Sequence, residues 1–529
     1  MRRVWGSVCD RDGPSCIPLE CVNAIRSRSV PGVNADVDLK RTQTLLPGRD
    51  GEEKEMHLPT HHSDSIFICG RWETSTSLET IEVVNPATEE VIDTVPAGSV
   101  EDAERAVMAA RAAFDGWSRT TPCERGKFVS RVAEALHARG HDLAETISRE
   151  VGIPGHLSLG SQVAGPIASF LEYARLAEDF PWEENVDGAT VVRAPVGVVV
   201  AITPWNFPLN QVLEKVGAAL VAGCTIVLKP SEVAPLSAWI LAEVIEEIGL
   251  PDGVFNLVSG LGSTVGEALV VHPEVDMVSF TGSTRAGKRI ATLAAANVTR
   301  VTLEMGGKSA NILLDDANLS EALPASIRGC FFNSGQVCAA LTRLLVPREK
   351  LEEIVDRLKA LTEEITVGDP QTAVTLGPVV SRVQRDRVQT YIEKGIAEGA
   401  RLVTGGPGAP EGLDKGFYVQ PTIFADVDNS MTIAQEEIFG PVLCVLTYDG
   451  EEDAIRIAND TPYGLSGAVW SADLERAHRV ARRLRTGLVR LNGGIRAVGI
   501  PFGGFKQSGI GRERGRFGID QYVELQSIS

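Results

Sequence analysis

The sequence predicts a two-domain α/β protein built on doubly wound, largely parallel sheets. Three observations carry that expectation. At 529 residues the chain is too long for one ordinary core, so two or three domains are expected. Its 43% hydrophobic and 23% charged residues are those of a soluble globular chain. Beyond Pro181, short β-branched runs alternate with helical stretches, the pattern of strands joined through crossover helices.

The elements follow in chain order. Residues 1–55 are rich in Gly, Pro, Ser and Arg and hold no sustained period, so a disordered arm is expected there. Asp10 and Asp12 close behind Arg2 and Arg3, with no apolar run after them, argue against a secretory signal, and the acids against a mitochondrial presequence. Met56 offers a second start, so an overlong reading frame is the other account of the arm. Ile66 to Ile68 and Glu82 to Val84 read as strands, and Asn85-Pro86-Ala87-Thr88 supplies a turn. Glu101 to Trp117, Arg125 to Leu136 and Leu143 to Val151 carry apolar residues at helical spacing. Then come the strand candidates Val191-Val192, Gly197 to Ile202, Thr225 to Leu228, Gly253 to Val258 and Met277 to Phe280. The second half repeats the alternation with Asn311 to Leu314, Arg343 to Val346 and Val442 to Thr447.

Charge and cysteine usage remove several functional classes. A net charge of −19 argues against nucleic acid or an anionic membrane as the main partner. No apolar run reaches the roughly 18 residues a membrane helix needs. Nine cysteines, an odd number without a C-x-x-C pair, suggest free thiols in a reducing compartment, hence a cytoplasmic protein. His57, His61 and His62 lie together but lack cysteine ligands nearby, so no metal is expected.

Five segments carry chemistry. In Asn333-Ser334-Gly335-Gln336-Val337-Cys338 a glycine-containing turn precedes a cysteine, whose thiolate is a strong nucleophile where its surroundings support it. A small buried hydrophobe is the other reading. Thr203-Pro204-Trp205-Asn206-Phe207-Pro208 follows the strand ending at Ile202, where open α/β sheets place ligands. Its two prolines stiffen the loop, and the Asn206 amide is suited either to an oxyanion or simply to a turn. Lys229-Pro230-Ser231-Glu232 follows the next strand. A carboxylate there accepts from a ribose 2′-hydroxyl and repels a 2′-phosphate, although a solvated ion pair would look the same. Phe280-Thr281-Gly282-Ser283-Thr284 leads from a strand to a helix N-terminus, a seat for a pyrophosphate. Gly282 to Lys288 matches part of a P-loop, but Arg289 stands where Ser or Thr must hold magnesium. In Leu303-Glu304-Met305-Gly306-Gly307-Lys308, a desolvated Glu304 would have a raised pKa suited to a general base; otherwise it is an exposed acid.

Taken in order, these segments resemble the aldehyde dehydrogenase superfamily. So do Glu436-Glu437-Ile438-Phe439-Gly440-Pro441-Val442, Asn459-Asp460-Thr461-Pro462-Tyr463-Gly464-Leu465 and Pro501-Phe502-Gly503-Gly504-Phe505-Lys506-Gln507-Ser508-Gly509. The resemblance runs from about Ile66 to the C-terminus. It implies an NAD-dependent, hydrolytic enzyme in which Cys338 attacks an aldehyde and forms a thioester. Asn206 and the Cys338 N–H stabilise the oxyanion, Glu304 activates water, and Lys215 lies near the site. For the cofactor, the resemblance implies Ile202, Thr203, Pro204, Trp205, Lys229, Ser231, Glu232, Thr281, Gly282 and Ser283 along the path, with Glu437 and Phe439 at the nicotinamide ribose and ring. It implies an NAD-binding domain over 56–180 and 196–303 and a catalytic domain over 304–491. A β element from 181–195 and 505–529 would join a homodimer or homotetramer. The presence of Glu304 favours hydrolysis over acyl transfer to coenzyme A. Cys338 and Glu304 together argue against a non-catalytic NAD-binding protein.

Substrate identity is the least determined feature. The implied tunnel wall includes Phe207, Glu214, Val337, Ala339, Arg496 and Phe502. Glu214 departs from the large apolar side chain of many relatives. Arg496 would either receive a substrate carboxylate, making the substrate a semialdehyde, or pair with Glu214 or lie exposed on its loop.

Overall fold

The computed structural model describes residues 62–494 and 497–529. The N-terminal arm, His57, His61 and Arg496 lie outside the described residues.

Two large sheets organise the molecule. The first has eight strands, in the order 509–510, 300–304, 277–281, 198–202, 225–229, 255–257, 65–68 and 71–74. Its five central strands are parallel, and antiparallel pairs close both edges. Strand Val198–Ile202 starts the parallel set, which runs outward through Thr225–Lys229 and Phe255–Leu257. The chain then returns to the other side of Val198–Ile202 with Met277–Thr281 and Arg300–Glu304. The order therefore reverses between Val198–Ile202 and Met277–Thr281, which is where doubly wound sheets open a ligand crevice at their carboxyl ends.

The central strands are largely apolar and almost entirely buried, as parallel strands under helices must be. Helices Pro122–Ala138, Gly165–Asp179 and Pro208–Ala222 pack on one side, around Phe170, Tyr173, Val216 and Trp239. Helix Val100–Ser118 contributes Ala103, Ala106 and Val107 to the opposite face. Its start is fixed by a capping box between Ser99 and Asp102.

The second sheet has seven strands, in the order 401–404, 422–425, 442–448, 343–347, 310–313, 466–470 and 488–491, and only the first is antiparallel to its neighbour. Its two faces bury separate cores, one around Ile312, Phe424 and Leu446 and the other around Leu344, Leu323 and Ile354.

A third, small sheet joins strands Glu183–Val186 and Ala189–Pro195 to the C-terminal strand Val523–Ile528. Its hairpin turns at Asp187-Gly188, both at positive φ (49° and 90°), the pairing that Asp-Gly supplies for a two-residue loop. The segment 505–529 is thus divided, because residues 509–510 first add a strand to the first sheet.

The cysteines depart from expectation at one position. Cys69, Cys224, Cys330, Cys338 and Cys444 are free, but Cys123 is disulfide-bonded. Among the described residues no helix is long and apolar enough to cross a membrane. Of the three clustered histidines only His62 is described, and its ring stacks on Trp72 with centroids 4.6 Å apart.

Candidate active site

Parallel register assembles the first half of the site. Ile202 pairs with Lys229 on one side and Phe280 on the other, and Thr281 pairs with Glu304. Lys229, Ile202, Thr281 and Glu304 therefore stand side by side at the carboxyl edge of four consecutive strands, although they are spread over about a hundred residues of sequence.

Asn206 follows Ile202 in the loop that Pro204 and Pro208 bracket. Pro208 opens helix Pro208–Ala222 at a position where the missing N–H costs nothing. Asn206 is buried, and its carbonyl accepts from Gln162 Nε2 and Asn333 Nδ2, both at 3.1 Å. Its own Nδ2 donates to the Gln336 carbonyl at 2.9 Å. A primary amide carries two N–H donors, so one remains for another acceptor. These bonds tie the end of the first sheet to the Cys338 loop across 130 residues of sequence.

That loop leaves helix Leu319–Phe331 through three successive left-handed residues, Asn333, Ser334 and Gly335, with φ of 53°, 55° and 74°. A side chain at Gly335 would lie 2.1 Å from the Gly440 carbonyl, so glycine is required there. Gln336 locks the turn, donating to the Asn333 carbonyl and accepting from the Val380 N–H. Cys338 emerges half-buried. Burial, reinforced by the charges of Glu437, Glu304 and Glu513, pushes its thiol up to about 12.

Glu304 ends its strand buried, and neither carboxylate oxygen has a hydrogen-bond partner. Burial holds its pKa well above the usual carboxylate range, and the charge of Glu513 pushes the same way. Lys215, Arg512 and Arg514 act against that shift. Lys215 is buried in helix Pro208–Ala222 and donates to Glu513 Oε1 at 2.5 Å. Arg512 and Glu513 were not legible as site residues. The only signal was the run Arg512-Glu513-Arg514 behind a glycine-rich loop, and only the antiparallel return of 509–510 onto Glu304 gives it meaning.

The paired glycines after Glu304 have separate duties. A Cβ on Gly306 would stand 2.0 Å from Glu437 Oε2, and one on Gly307 would stand 2.8 Å from the Cys338 carbonyl. Gly307 also donates its N–H to Glu437 Oε1 at 3.0 Å. Burial pushes Glu437 up to about 7, with the Gly307 bond, Arg387 and Lys308 pulling down. Phe439 holds a positive φ of 63°, and its ring meets Trp205 edge-on at 5.4 Å across the crevice.

The crevice fits a dinucleotide. Thr203 Oγ1 and Thr281 Oγ1 are buried without partners on the two sides of the order reversal. Ser283 caps helix Thr284–Ala294, accepting from Ala286 N at 3.2 Å, directly after Gly282. Buried Lys229 donates to Glu232 at 3.4 Å, and Ser231 lies between them. Gly266, in the turn Gly262–Gly266, approaches the Lys229 stem, so this segment lines the same region although its glycines miss the dinucleotide spacing. Lys288, the would-be P-loop lysine, instead donates to Gln507.

The remaining predicted residues form a wall beyond Cys338. Phe207 stacks on Phe332 at 6.4 Å, and buried Phe502 lies under the Arg514 guanidinium at 5.6 Å. Val337 and Ala339, on either side of Cys338, are half-buried. Glu214 is buried, 3.3 Å from Arg514 Nε, and accepts from Tyr173 Oη at 3.1 Å. Its cationic partner among the described residues is therefore Arg514.

The profile of the Aldehyde dehydrogenase family matches residues 72–528. The chain is 49% identical over 465 residues to 3-succinoylsemialdehyde-pyridine dehydrogenase of a Pseudomonas species, covering 88% of this chain and 98% of that one. Aldehyde dehydrogenase C of Pseudomonas syringae, solved as a cysteine-to-alanine mutant with NAD+ and octanal, superposes with a TM-score of 0.88 at 47% identity, covering 88% and 97% of the two chains. Betaine aldehyde dehydrogenase of Staphylococcus aureus, solved with NAD+, gives 0.86 at 40% identity, covering 88% and 94%.

Proposed function

The chain belongs to the aldehyde dehydrogenase family, and from that premise we propose how its own residues oxidise an aldehyde to a carboxylic acid with NAD. The observation that carries the proposal is the meeting of three groups from distant segments: Cys338 on its left-handed turn, Asn206 bonded to that turn, and Glu304 buried without a partner.

Cys338 gives its thiol proton to solvent water, and its sulfur adds to the aldehyde carbonyl. The second Asn206 amide hydrogen and the Cys338 N–H stabilise the oxyanion that forms, an effect worth about 3 to 4 kcal/mol per donor in comparable sites. With Glu437 and Phe439 holding its nicotinamide end, a bound NAD would supply the hydride acceptor for this adduct, which stays on Cys338 as a thioester. Glu304 removes a proton from water as the water adds to the thioester. The acid departs and Cys338 regains its proton. Lys215, through Glu513, positions the charge that Glu304 feels.

For the cofactor, Thr203, Thr281 and Ser283 with the helix start behind Gly282 suit the pyrophosphate. Lys229, Ser231 and Glu232 suit the adenosine ribose, and Glu437 with Phe439 the nicotinamide ribose and ring. Ile202, Pro204 and Trp205 form the intervening floor.

The substrate is an aldehyde with an extended tail, lying between Phe207 and Phe502 with the Glu214–Arg514 pair behind. The octanal complex of the Pseudomonas syringae enzyme supports such a tail. The chain acts as a homodimer or homotetramer through the small sheet, whose Val186, Leu525 and Ile528 are exposed apolar residues on edge strands. We place it in the cytoplasm, where the Cys338 thiol stays reduced, although a disulfide such as that of Cys123 is uncommon there.

The test is NADH formation from NAD with aliphatic, aromatic and acidic aldehydes, without coenzyme A. Turnover with an acyl group trapped on Cys338 supports the reading. NADH that appears only when coenzyme A is added would replace hydrolysis by acyl transfer.

A further inference from the structure

A small, partly open cavity lies where the second sheet's strands begin, and none of the residues assigned to the reaction lines it. Its lining includes Lys308, Ser309, Arg343, Arg485 and Thr486, with three cationic side chains and no carboxylate. Lys308 is 2% exposed and its Nζ has no hydrogen-bond partner. Ser309 Oγ and Thr486 Oγ1 are also buried and unpartnered.

Arg343, fully buried, does not relieve this charge. It donates to the carbonyls of Lys308, Ile457 and Ala458 and to Asn429 Oδ1, all neutral acceptors. The acids closest in effect are Asp460, which is exposed and held by Asn429 Nδ2 at 2.9 Å, and Glu437, which is engaged by Gly307. Burial lowers the Lys308 pKa, and the Arg343 charge adds to that. An ammonium held without an acceptor, beside a guanidinium and two idle hydroxyls, is a costly arrangement unless an anion enters. Tetrahedral oxyanions supply what is missing, because they accept from an ammonium, a guanidinium and hydroxyls at once.

We propose that this cavity is an oxyanion site, taking inorganic phosphate or the phosphoryl end of a small metabolite. Lys308 holds the inner end, Ser309 and Thr486 the middle, and exposed Arg485 the mouth. The site is separate from the one that seats the cofactor pyrophosphate, and it stands whether or not the proposed reaction is correct.

The test titrates the full-length protein, saturated with NAD so that the cofactor site is filled, with inorganic phosphate, glycerol phosphate or chloride at constant ionic strength. Calorimetry and thermal shift read the binding. Phosphate is expected to bind and raise Tm where chloride does not. Arg485→Ala and Thr486→Val should each weaken it, by about tenfold for the arginine. Lys308→Met should abolish it; should that variant fail to fold, the Arg485 and Thr486 variants decide. Binding of glycerol phosphate as well would mean that the mouth admits an ester, and phosphate alone that it admits only the free ion; both support the site. Equal responses to phosphate and chloride, or phosphate binding unchanged in Arg485→Ala and Thr486→Val, would overturn it and leave a water-filled cavity.

Discussion

Glu304 and Glu437 face the same crevice from different sheets, and they are held in opposite ways. Glu304 ends a strand of the first sheet with both oxygens buried and unbonded. Glu437 lies in the turn before a strand of the second sheet, and the Gly307 N–H fixes one of its oxygens. A carboxylate without partners keeps its proton affinity high and its oxygens free, which suits proton transfer. A carboxylate with a backbone donor is fixed in direction, which suits holding hydroxyls. The difference teaches that burial alone does not assign a role; the presence or absence of a donor does.

The largest effect should separate the two carboxylates. Glu304→Gln should lower steady-state NADH formation by about 10² to 10⁴-fold, the range of a lost general base. It should leave one rapid NADH per site, because thioester formation does not need that base. Glu437→Gln keeps an acceptor for Gly307, so deacylation should be nearly unchanged while the NAD concentration for half-maximal rate rises about tenfold. Stopped-flow traces of both variants check the pair. Loss of the burst in Glu304→Gln would give that carboxylate a role before the thioester and dissolve the contrast.

Asn206 comes next. Removing one oxyanion donor costs about 10² to 10³-fold in rate, so Asn206→Ala should slow the burst by that amount. Since Asn206 also braces Gln336, thermal melting should accompany the kinetics. A slow burst with unchanged Tm marks the electrostatic role.

The pH dependence sharpens the same comparison. A carboxyl group whose pKa is raised gains its base form at a higher pH than an ordinary carboxylate does. Decay of the isolated acyl-enzyme should therefore accelerate with pH through the raised Glu304 value, and this limb should vanish in Glu304→Gln. Cys338, pushed up to about 12, governs formation of the acyl-enzyme instead, so that step should keep its own rise with pH in the variant. Single-turnover decay measured apart from the burst distinguishes them.

Much of this was legible in the sequence because parallel strands announce themselves. The runs at Val198, Thr225 and Met277 are apolar on both faces, and each is followed by a polar loop that could only be a carboxyl end. Asn206 stands in such a loop and Glu304 at such an end, whereas Cys338 lies on the turn that leaves helix Leu319–Phe331. The short strands Arg71–Thr74, Arg401–Thr404 and Leu488–Leu491 were not legible, since edge strands carry mixed polarity and little periodicity. Glu214 was harder still. Its charge was visible, but its partner Arg514 lies 300 residues away and comes close only through tertiary packing. Arg496, the candidate in the tunnel loop, lies outside the described residues, and the pairing seen draws on the C-terminal segment.

The smallest effect concerns the glycines that make room for the two carboxylates. At Gly306 a methyl group would press on Glu437 Oε2, the far end of a flexible side chain, and no positive φ is demanded. At Gly503 the methyl would meet Glu304 Oε1 at 2.5 Å and Arg512 Cδ at 2.9 Å, and φ is 151°. An L residue in that conformation is strained by about 1 to 3 kcal/mol whatever the space around it. Gly306→Ala should thus cost little stability and chiefly weaken NAD binding by tilting Glu437. Gly503→Ala should lower Tm more and slow deacylation by displacing Glu304. Melting curves with NAD titrations of both variants check the order. If Gly306→Ala instead slowed deacylation as much as Gly503→Ala, the two carboxylates would be mechanically linked through the Met305–Gly307 segment and would not act as independent groups.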